Sequence, residues 1–250
     1  MTFTTALITG ASSGLGRGLA LHFAKAGTHV YAAARRKDEL EVLAQEAKAA
    51  GGALTPVVLD VSDADQAFEV LQRLDGTSGG FDLLVANAGV GDDSNGRKLD
   101  WKKVKRVLDV NVLGAAATVS AVLPGMVARG KGHVVGISSL AAFRGLPRSG
   151  AYSGSKAFLH TFLESLRVDL AGTPVTVGAI YPGFVKSELT AKNKHPMPFL
   201  LETDDAVRRM AKAIEAREKT FAFPWQMSLG VRTLSALPLP LYGLAAKRLR

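Results

Sequence analysis

The sequence predicts an α/β fold built on a doubly wound parallel sheet, in one domain spanning residues 1–250. Three observations carry this. Short apolar runs alternate with segments of helical periodicity, the pattern of parallel strands covered by helices on both faces. The first apolar run passes through a glycine turn straight into a helix, the order of a dinucleotide-binding unit. No internal repeat, low-complexity stretch or linker interrupts the 250 residues, a length that can bury a substantial core as one domain.

Residues 3–9 read as the first strand. The turn Gly10-Ala11-Ser12-Ser13-Gly14-Leu15-Gly16 follows. Residues 17–26 then place Leu19, Ala20, Phe23 and Ala24 at helical spacing, and Gly27 ends that helix as a C-cap would. Residues 28–34 predict the second strand and 38–50 the next helix. The third strand is expected at 54–60, a helix at 64–74 and the fourth strand at 81–86. Residues 100–129 carry one long helical pattern, 133–138 the fifth strand, 149–170 a helix and 175–181 the sixth strand. A helix at 204–216 and a short last strand at 220–223 complete the order. Right-handed crossovers make this arrangement doubly wound and put ligands at the C-terminal ends of the strands.

The glycines of the first turn let backbone approach a pyrophosphate without Cβ clashes, and the helix N-terminus presents free N–H groups to phosphates. Their spacing is Gly-x-x-x-Gly-x-Gly. Further along, Tyr152 and Lys156 stand at i and i+4, on one face of the predicted helix. A buried lysine cation beside a phenol stabilises the phenolate, so a lowered tyrosine pKa is expected and with it proton exchange with a substrate hydroxyl or carbonyl. Ser139 lies thirteen residues before Tyr152. Its neighbour Ser138 is the alternative, since successive strand residues point to opposite faces.

Composition narrows the field. Apolar residues make up 47% and charged residues 21%, ordinary for a globular protein. The absence of cysteine excludes disulfides and thiolate metal sites. His22, His29, His133, His160 and His195 form no metal-ligand spacing, so no metal is expected. A first strand at residue 3 leaves no room for a signal peptide, and a cytoplasmic protein is expected. The net charge of +9 raises the question of nucleic acid. The positive residues are scattered, however, and Lys102, Lys103, Lys105 and Arg106 read as the solvated side of an amphipathic helix around Trp101, Val104, Val107 and Leu108. No nucleic-acid partner is expected.

Thr9-Gly10-Ala11-Ser12-Ser13-Gly14-Leu15-Gly16 together with Tyr152 and Lys156 resembles the short-chain dehydrogenases/reductases of about 250 residues, and with them the Rossmann fold. Ala86-Asn87-Ala88-Gly89 is similar to the family's Asn-Asn-Ala-Gly, with Ala in the first place. Asn111 falls at the family's helix Asn, Ile137-Ser138-Ser139 at its serine strand and Pro182-Gly183 after its sixth strand. The resemblance runs from about residue 3 to about residue 190 and leaves the last sixty or so residues unmatched.

The resemblance implies hydride transfer between a nicotinamide and a carbon that is a carbonyl in one redox state and an alcohol in the other. Tyr152 would be the acid/base. Lys156 would lower its pKa and hold the nicotinamide ribose, Ser139 would donate to the developing alkoxide, and Asn111 would fix a water in the proton relay. Gly10, Ser12, Ser13, Gly14, Leu15 and Gly16 would take the pyrophosphate. Asp60 would accept from the adenine amino group with Val61 beside the ring. Asn87, Ala88 and Gly89 would let the ribose approach, and Pro182, Gly183, Val185 and Ser187 would meet the nicotinamide. Strand two ends Ala34-Arg35-Arg36 with no carboxylate for a ribose 2′-OH, and an arginine there suits a 2′-phosphate. NADP(H) is therefore expected, with Arg35 on the phosphate and Arg36 the more solvated of the two. Ser13 argues the other way, because many NADP-preferring relatives carry Lys or Arg there.

The expected activity is that of an NADP(H)-dependent carbonyl reductase or alcohol dehydrogenase. An apolar substrate is expected from Phe143, Leu146, Phe184 and the run Met197-Pro198-Phe199-Leu200-Leu201. The alternatives are an NADP(H)-binding sensor or scaffold without turnover, and a membrane-associated lipid or 3-oxoacyl reductase. Residues 184–203 would form a lid over the substrate. The stretch 234–246, without a charge, is too short and too broken by Pro238 and Pro240 to span a bilayer. It is expected to pack on the body. An interfacial anchor using Trp225, Arg232, Lys247, Arg248 and Arg250 is the alternative. The helices at 100–129 and 149–170 would pair with symmetry mates in a homodimer or homotetramer, with Ala116, Val119, Phe158, Phe162 and Leu166 on the seam.

Overall fold

The computed structural model describes residues 3–91, 95–191 and 196–247, except the side chains of Ala245 and Lys247. His195, Arg248 and Arg250 lie outside the described residues, as does the side chain of Lys247. Seven strands form one parallel sheet in the order β3-β2-β1-β4-β5-β6-β7. They are β1 (Thr5–Thr9), β2 (His29–Ala34), β3 (Ala53–Val58), β4 (Leu83–Ala86), β5 (Gly132–Ile137), β6 (Val175–Pro182) and β7 (Thr220–Phe223). The order reverses between β1 and β4, and the crevice beyond their C-terminal ends is the ligand position of such sheets.

Alternation along β1 builds both core layers. Ile8 packs with Leu19 and Phe23 of α1 (Gly14–Lys25), Leu40 and Leu43 of α2 (Lys37–Ala49), and Met210 and Ile214 of a helix at Thr203–Glu215. Leu7, its neighbour, faces the other way. It joins Leu71 of α3 (Ala64–Thr77) and residues of the helices that follow β4 and β5.

The helical pattern at 100–129 is not uniform. It divides into α4 (Trp101–Leu108), a wider π-helical turn (Asp109–Gly114) and α5 (Ala115–Arg129). A Cβ on Gly114 would lie 2.4 Å from the Val61 carbonyl oxygen, so the helix passes directly against the end of the β3 region. Among the described residues, Trp101–Arg129 is the one helical run long and apolar enough to cross a membrane, but 50% of its most apolar window is buried inside the protein. Val119 belongs to that interior, at 0% exposure. It therefore cannot line a subunit seam, contrary to the sequence reading.

Helix α6 (Gly150–Asp169) follows β5, and α7 (Thr203–Glu215) follows β6. The tail, expected to pack on the body, forms two helices, α8 (Trp225–Ala236) and α9 (Leu239–Lys247). Leu237, in an extended conformation, and Pro238 separate them, while Pro240 sits in the first turn of α9, where its missing N–H is harmless. Arg144 ties the tail down. It donates to the Ser235 and Leu237 carbonyls at 3.3 Å each and lies 4.4 Å above the Tyr242 ring. The Tyr242 hydroxyl donates to the Gly145 carbonyl.

Candidate active site

The glycine turn is a rigid cradle. Gly10 has φ +67° and Gly14 φ +54°, both in the left-handed region. A Cβ on Gly10 would lie 2.8 Å from Ala88 Cα, and one on Gly16 would lie 2.4 Å from both the Gly10 oxygen and Asn87 Nδ2. Asn87 Nδ2 donates to the carbonyls of Thr9 at 2.9 Å and Gly10 at 3.3 Å. Thr9 Oγ1 in turn accepts from the N–H groups of Asn87 and Ala88, each at 3.1 Å. The ends of β1 and β4 are thereby pinned together. The Asn87 side chain is spent on that junction, a role the sequence did not reveal, and so is Thr9. Ser13 precedes α1 in an extended conformation without capping it, which leaves the first N–H groups of the helix toward the turn. Leu15 packs against the core, and Ser12 is buried.

At the end of β2 the two arginines turn to different partners. Arg35 leans toward Asp60, Nη1 to Oδ2 3.5 Å. Arg36, expected to be the solvated one, reaches the glycine turn instead. Its Nε donates to Ser12 Oγ at 3.1 Å and its Nη1 to Glu188 Oε1 at 3.0 Å. The other Glu188 oxygen accepts from Ser13 Oγ at 3.2 Å. The reason is a carboxylate 152 positions along the chain, which draws the guanidinium inward and which local sequence cannot reveal. Partial burial raises the Asp60 carboxyl, but the Ser62 N–H and hydroxyl and the Arg35 guanidinium outweigh it and hold the group below its ordinary value. Asp60 Oδ1 is occupied by Ser62, at 3.0 Å from N and 2.7 Å from Oγ. Asp63, not Asp60, caps α3. Val61 is buried beside Gly114.

Tyr152 and Lys156 lie one turn apart on α6, with Lys156 Nζ 5.8 Å from the centre of the Tyr152 ring. Nζ donates to the Ile137 carbonyl at the end of β5, at 2.8 Å. Burial, with 5% of Lys156 exposed, lowers its ammonium to about 8. The Tyr152 phenol behaves contrary to the sequence expectation. Burial raises it, and a hydrogen bond from Ser139 opposes the rise without reversing it. By area the residue is only half-buried, while its phenol group is closely surrounded by protein. An anionic oxygen there loses hydration that the ammonium, held on Ile137, does not replace.

Ser139 Oγ accepts from Ala141 N at 3.1 Å and lies 3.5 Å from the Pro182 carbonyl. Ser138 points elsewhere, donating to the Lys156 carbonyl at 2.9 Å inside the protein. Asn111 stands on the π turn. Its Oδ1 accepts from Val90 N at 2.8 Å, and its Nδ2 donates to Val90 O and to Ser155 Oγ, both at 3.0 Å. Ser155, which sequence reasoning passed over, donates to the Tyr152 carbonyl at 2.7 Å. Its place inside Tyr-x-x-Ser-Lys was the available signal. A Cβ on Gly89 would lie 3.4 Å from Lys156 Nζ and 3.5 Å from Asn111 Oδ1. The β4 loop and the tyrosine–lysine face thus form one site.

After β6, Gly183 packs where a Cβ would meet Met227 Sδ at 2.7 Å. The Val185 side chain, expected at the cofactor, is instead buried in the core. Ser187 N donates to Thr190 Oγ1 at 2.9 Å, and Thr190 Oγ1 donates to the Val185 carbonyl at 2.7 Å, closing a tight turn. Residues 185 and 201 bridge the two ends of the segment. On the substrate side, Phe143 is packed against Tyr181, ring centres 5.0 Å apart, and is not an open wall. Leu146 lines a cavity of about 490 Å³ between its own loop and Pro240, Tyr242 and Leu244 of the tail. Neither Ser139, Tyr152 nor Lys156 lines that cavity. Phe184 is half-buried, and Phe199 and Leu200 are exposed.

A family model described as short chain dehydrogenase matches residues 4–198. An uncharacterised oxidoreductase of Myxococcus xanthus is 58% identical over 250 residues, covering 100% of this chain and 99% of its own length. A 3-oxoacyl-[acyl-carrier-protein] reductase of Thermotoga maritima is 34% identical, covering 74% of this chain and 76% of its own. Among solved structures, a short-chain dehydrogenase/reductase from Burkholderia phymatum in complex with NAD superposes with TM-score 0.83 at 26% identity, over 92% of each chain. One from Sphingobium yanoikuyae in complex with NADPH gives 0.81 at 25%, over 94% of this chain and 96% of that one. With its parallel Rossmann sheet, this chain is a nucleotide-binding oxidoreductase fold of that kind, and it belongs to the short-chain dehydrogenase family.

Proposed function

We propose that the protein interconverts a carbonyl and a secondary alcohol on an apolar small molecule, using NADP(H), as a cytoplasmic enzyme. One observation carries the reading: the Tyr152 phenol stands next to the Ser139 hydroxyl, with the Lys156 ammonium one turn behind, beside the glycine cradle. The residues fit a dinucleotide phosphate. Gly10 and Gly16 hold the turn against Asn87 and Ala88 where no Cβ fits, the donors around it are hydroxyls and guanidinia, and the Glu188 carboxylate already stands there as an anion. When bound, the nicotinamide supplies or accepts the hydride. Tyr152 gives its proton to the carbonyl oxygen or takes one from the alcohol. Ser139 donates to that oxygen as charge develops, Lys156 favours the phenolate that is left, and Asn111 holds the Val90 backbone and Ser155 in register. A panel of ketones and aldehydes, read by loss of NADPH absorbance, tests the reading. No turnover across the panel, with tight NADPH binding, would favour a nucleotide sensor.

NADPH is expected to bind more than tenfold more tightly than NADH, because a guanidinium–phosphate pair in a partly desolvated site is worth above roughly 1.4 kcal/mol. Arg35→Ala and Arg36→Ala should each reduce that preference and leave NADH affinity nearly unchanged. Equal affinity of the native protein for both nucleotides would refute the choice of cofactor.

A homodimer or larger assembly belongs to the same reading. Phe158 and Phe162 stack on α6 at 5.5 Å, half-buried, while Leu108 and Leu113 are exposed beside them on the α4–α5 run. Light scattering at micromolar concentration is expected to give at least twice the 26.3 kDa chain mass.

A further inference from the structure

The segment after β6 places a carboxylate on the nucleotide side of the site, and nothing in the chemistry of carbonyl reduction requires it. Glu188 Oε1 accepts from Arg36 Nη1 at 3.0 Å and Oε2 from Ser13 Oγ at 3.2 Å. Arg36 is braced in that position by Ser12, 3.1 Å from its Nε. The Ser13 hydroxyl and the Arg36 guanidinium converge on one anion, and the chain itself supplies it. The Arg36 hydrogen bond holds the Glu188 carboxyl below its ordinary value, so it is charged at neutral pH.

We propose that Glu188 is an internal counter-anion that occupies the nucleotide phosphate position through Ser13 and Arg36 and sets the affinity for the 2′-phosphate. The inference rests on the reading of Arg35 and Arg36 as the 2′-phosphate donors. A phosphate reaching Arg36 displaces the carboxylate, because two anions cannot share one guanidinium face without strong repulsion. Affinity for the phosphorylated nucleotide is then reduced by the strength of the internal pair, and by reciprocity a bound phosphate releases Glu188 from Ser13 and Arg36. The size of the effect follows from exposure. With the Glu188 side chain 66% and the Arg36 side chain 43% exposed, the pair is weak. Solvent-exposed pairs of this kind change an equilibrium by about fivefold at most.

The test is calorimetric titration of the full chain with 2′,5′-ADP and with 5′-ADP, which needs no turnover. Glu188→Gln keeps the side-chain shape and removes the charge. It is expected to bind 2′,5′-ADP about two- to fivefold more tightly than the native protein, while 5′-ADP changes by less than about 1.5-fold. Glu188→Lys, which replaces the anion by a cation, should gain at least as much. If the native protein prefers 2′,5′-ADP but Glu188→Gln binds it no better, the inference about Glu188 is overturned and the cofactor reading stands. If the native protein does not prefer 2′,5′-ADP and Arg36→Ala changes nothing, the cofactor reading fails and the inference falls with it.

Discussion

Tyr152→Phe is expected to lower turnover by about 10²- to 10⁴-fold while leaving NADPH affinity within about twofold. The substitution removes one oxygen, and with it the proton that must reach the substrate as hydride moves. The ring stays in place against α6. Burial keeps the phenol protonated at neutral pH, with the Ser139 bond opposing but not reversing the shift. Tyr152 is thereby set up as the acid for carbonyl reduction. The Lys156 cation favours the phenolate that proton donation leaves behind, and the sign of its pH dependence follows. Its ammonium is lowered to about 8, so the charge is present below that pH and is lost as pH rises through it. Reduction is therefore expected to be level from about pH 6 to 7.5 and to fall above about 8. Single-turnover NADPH oxidation across this range, on the native protein and on Tyr152→Phe, checks both statements. Near-native rates in the variant would remove Tyr152 from the chemistry.

What the sequence made legible was whatever a residue type alone can dictate. Gly10 and Gly16 announce the cradle because no side chain fits the contacts that the β1–β4 junction makes there. The i, i+4 spacing puts Tyr152 and Lys156 on one face of α6, and strand alternation separates Ser138 from Ser139. What escaped depends on groups distant along the chain. The phenol's rise comes from burial, which spacing does not report. The inward turn of Arg36 comes with Glu188. The π turn at Asp109–Gly114 adds too little to the period of a 29-residue helical run to break its apolar pattern, yet it is where Asn111 stands. The inward face of α5 was misjudged at Val119 because an alanine- and valine-rich helix offers two apolar faces, and only packing shows which is covered.

The largest loss of stability is expected at Asp75, far from the chemistry but beneath one of its supports. Asp75, on α3, is 6% exposed. It accepts from Phe81 N at 2.8 Å and takes Arg129 of α5 in a two-point grip, at 2.7 and 3.0 Å. Gly125 and Gly80 make room for the pair. A Cβ at the first would sit 2.2 Å from Asp75 Oδ2, and one at the second 2.3 Å from Arg129 Cζ. The pair fastens α3 and α5 to the start of β4, whose far end carries Asn87, Ala88 and Gly89. Asp75→Ala would leave a guanidinium without its partner and a buried N–H without an acceptor. Losing one member of a fully buried pair costs about 3–5 kcal/mol. The Arg129 side chain is 35% exposed and can rehydrate in part, which puts the expected loss at the lower end, about 2–3 kcal/mol. For a chain of this size that corresponds to a fall in Tm of roughly 5–10 °C. Asp75→Asn retains an acceptor for Phe81 and should lose less. Combining Asp75→Ala with Arg129→Met removes the stranded cation, so the double variant should lose less than the two single losses added together. Urea unfolding of the five proteins, native, Asp75→Ala, Asp75→Asn, Arg129→Met and the double variant, measures all of this. Strict additivity would mean that the two side chains are not coupled, and that the anchoring of β4 lies in its backbone alone.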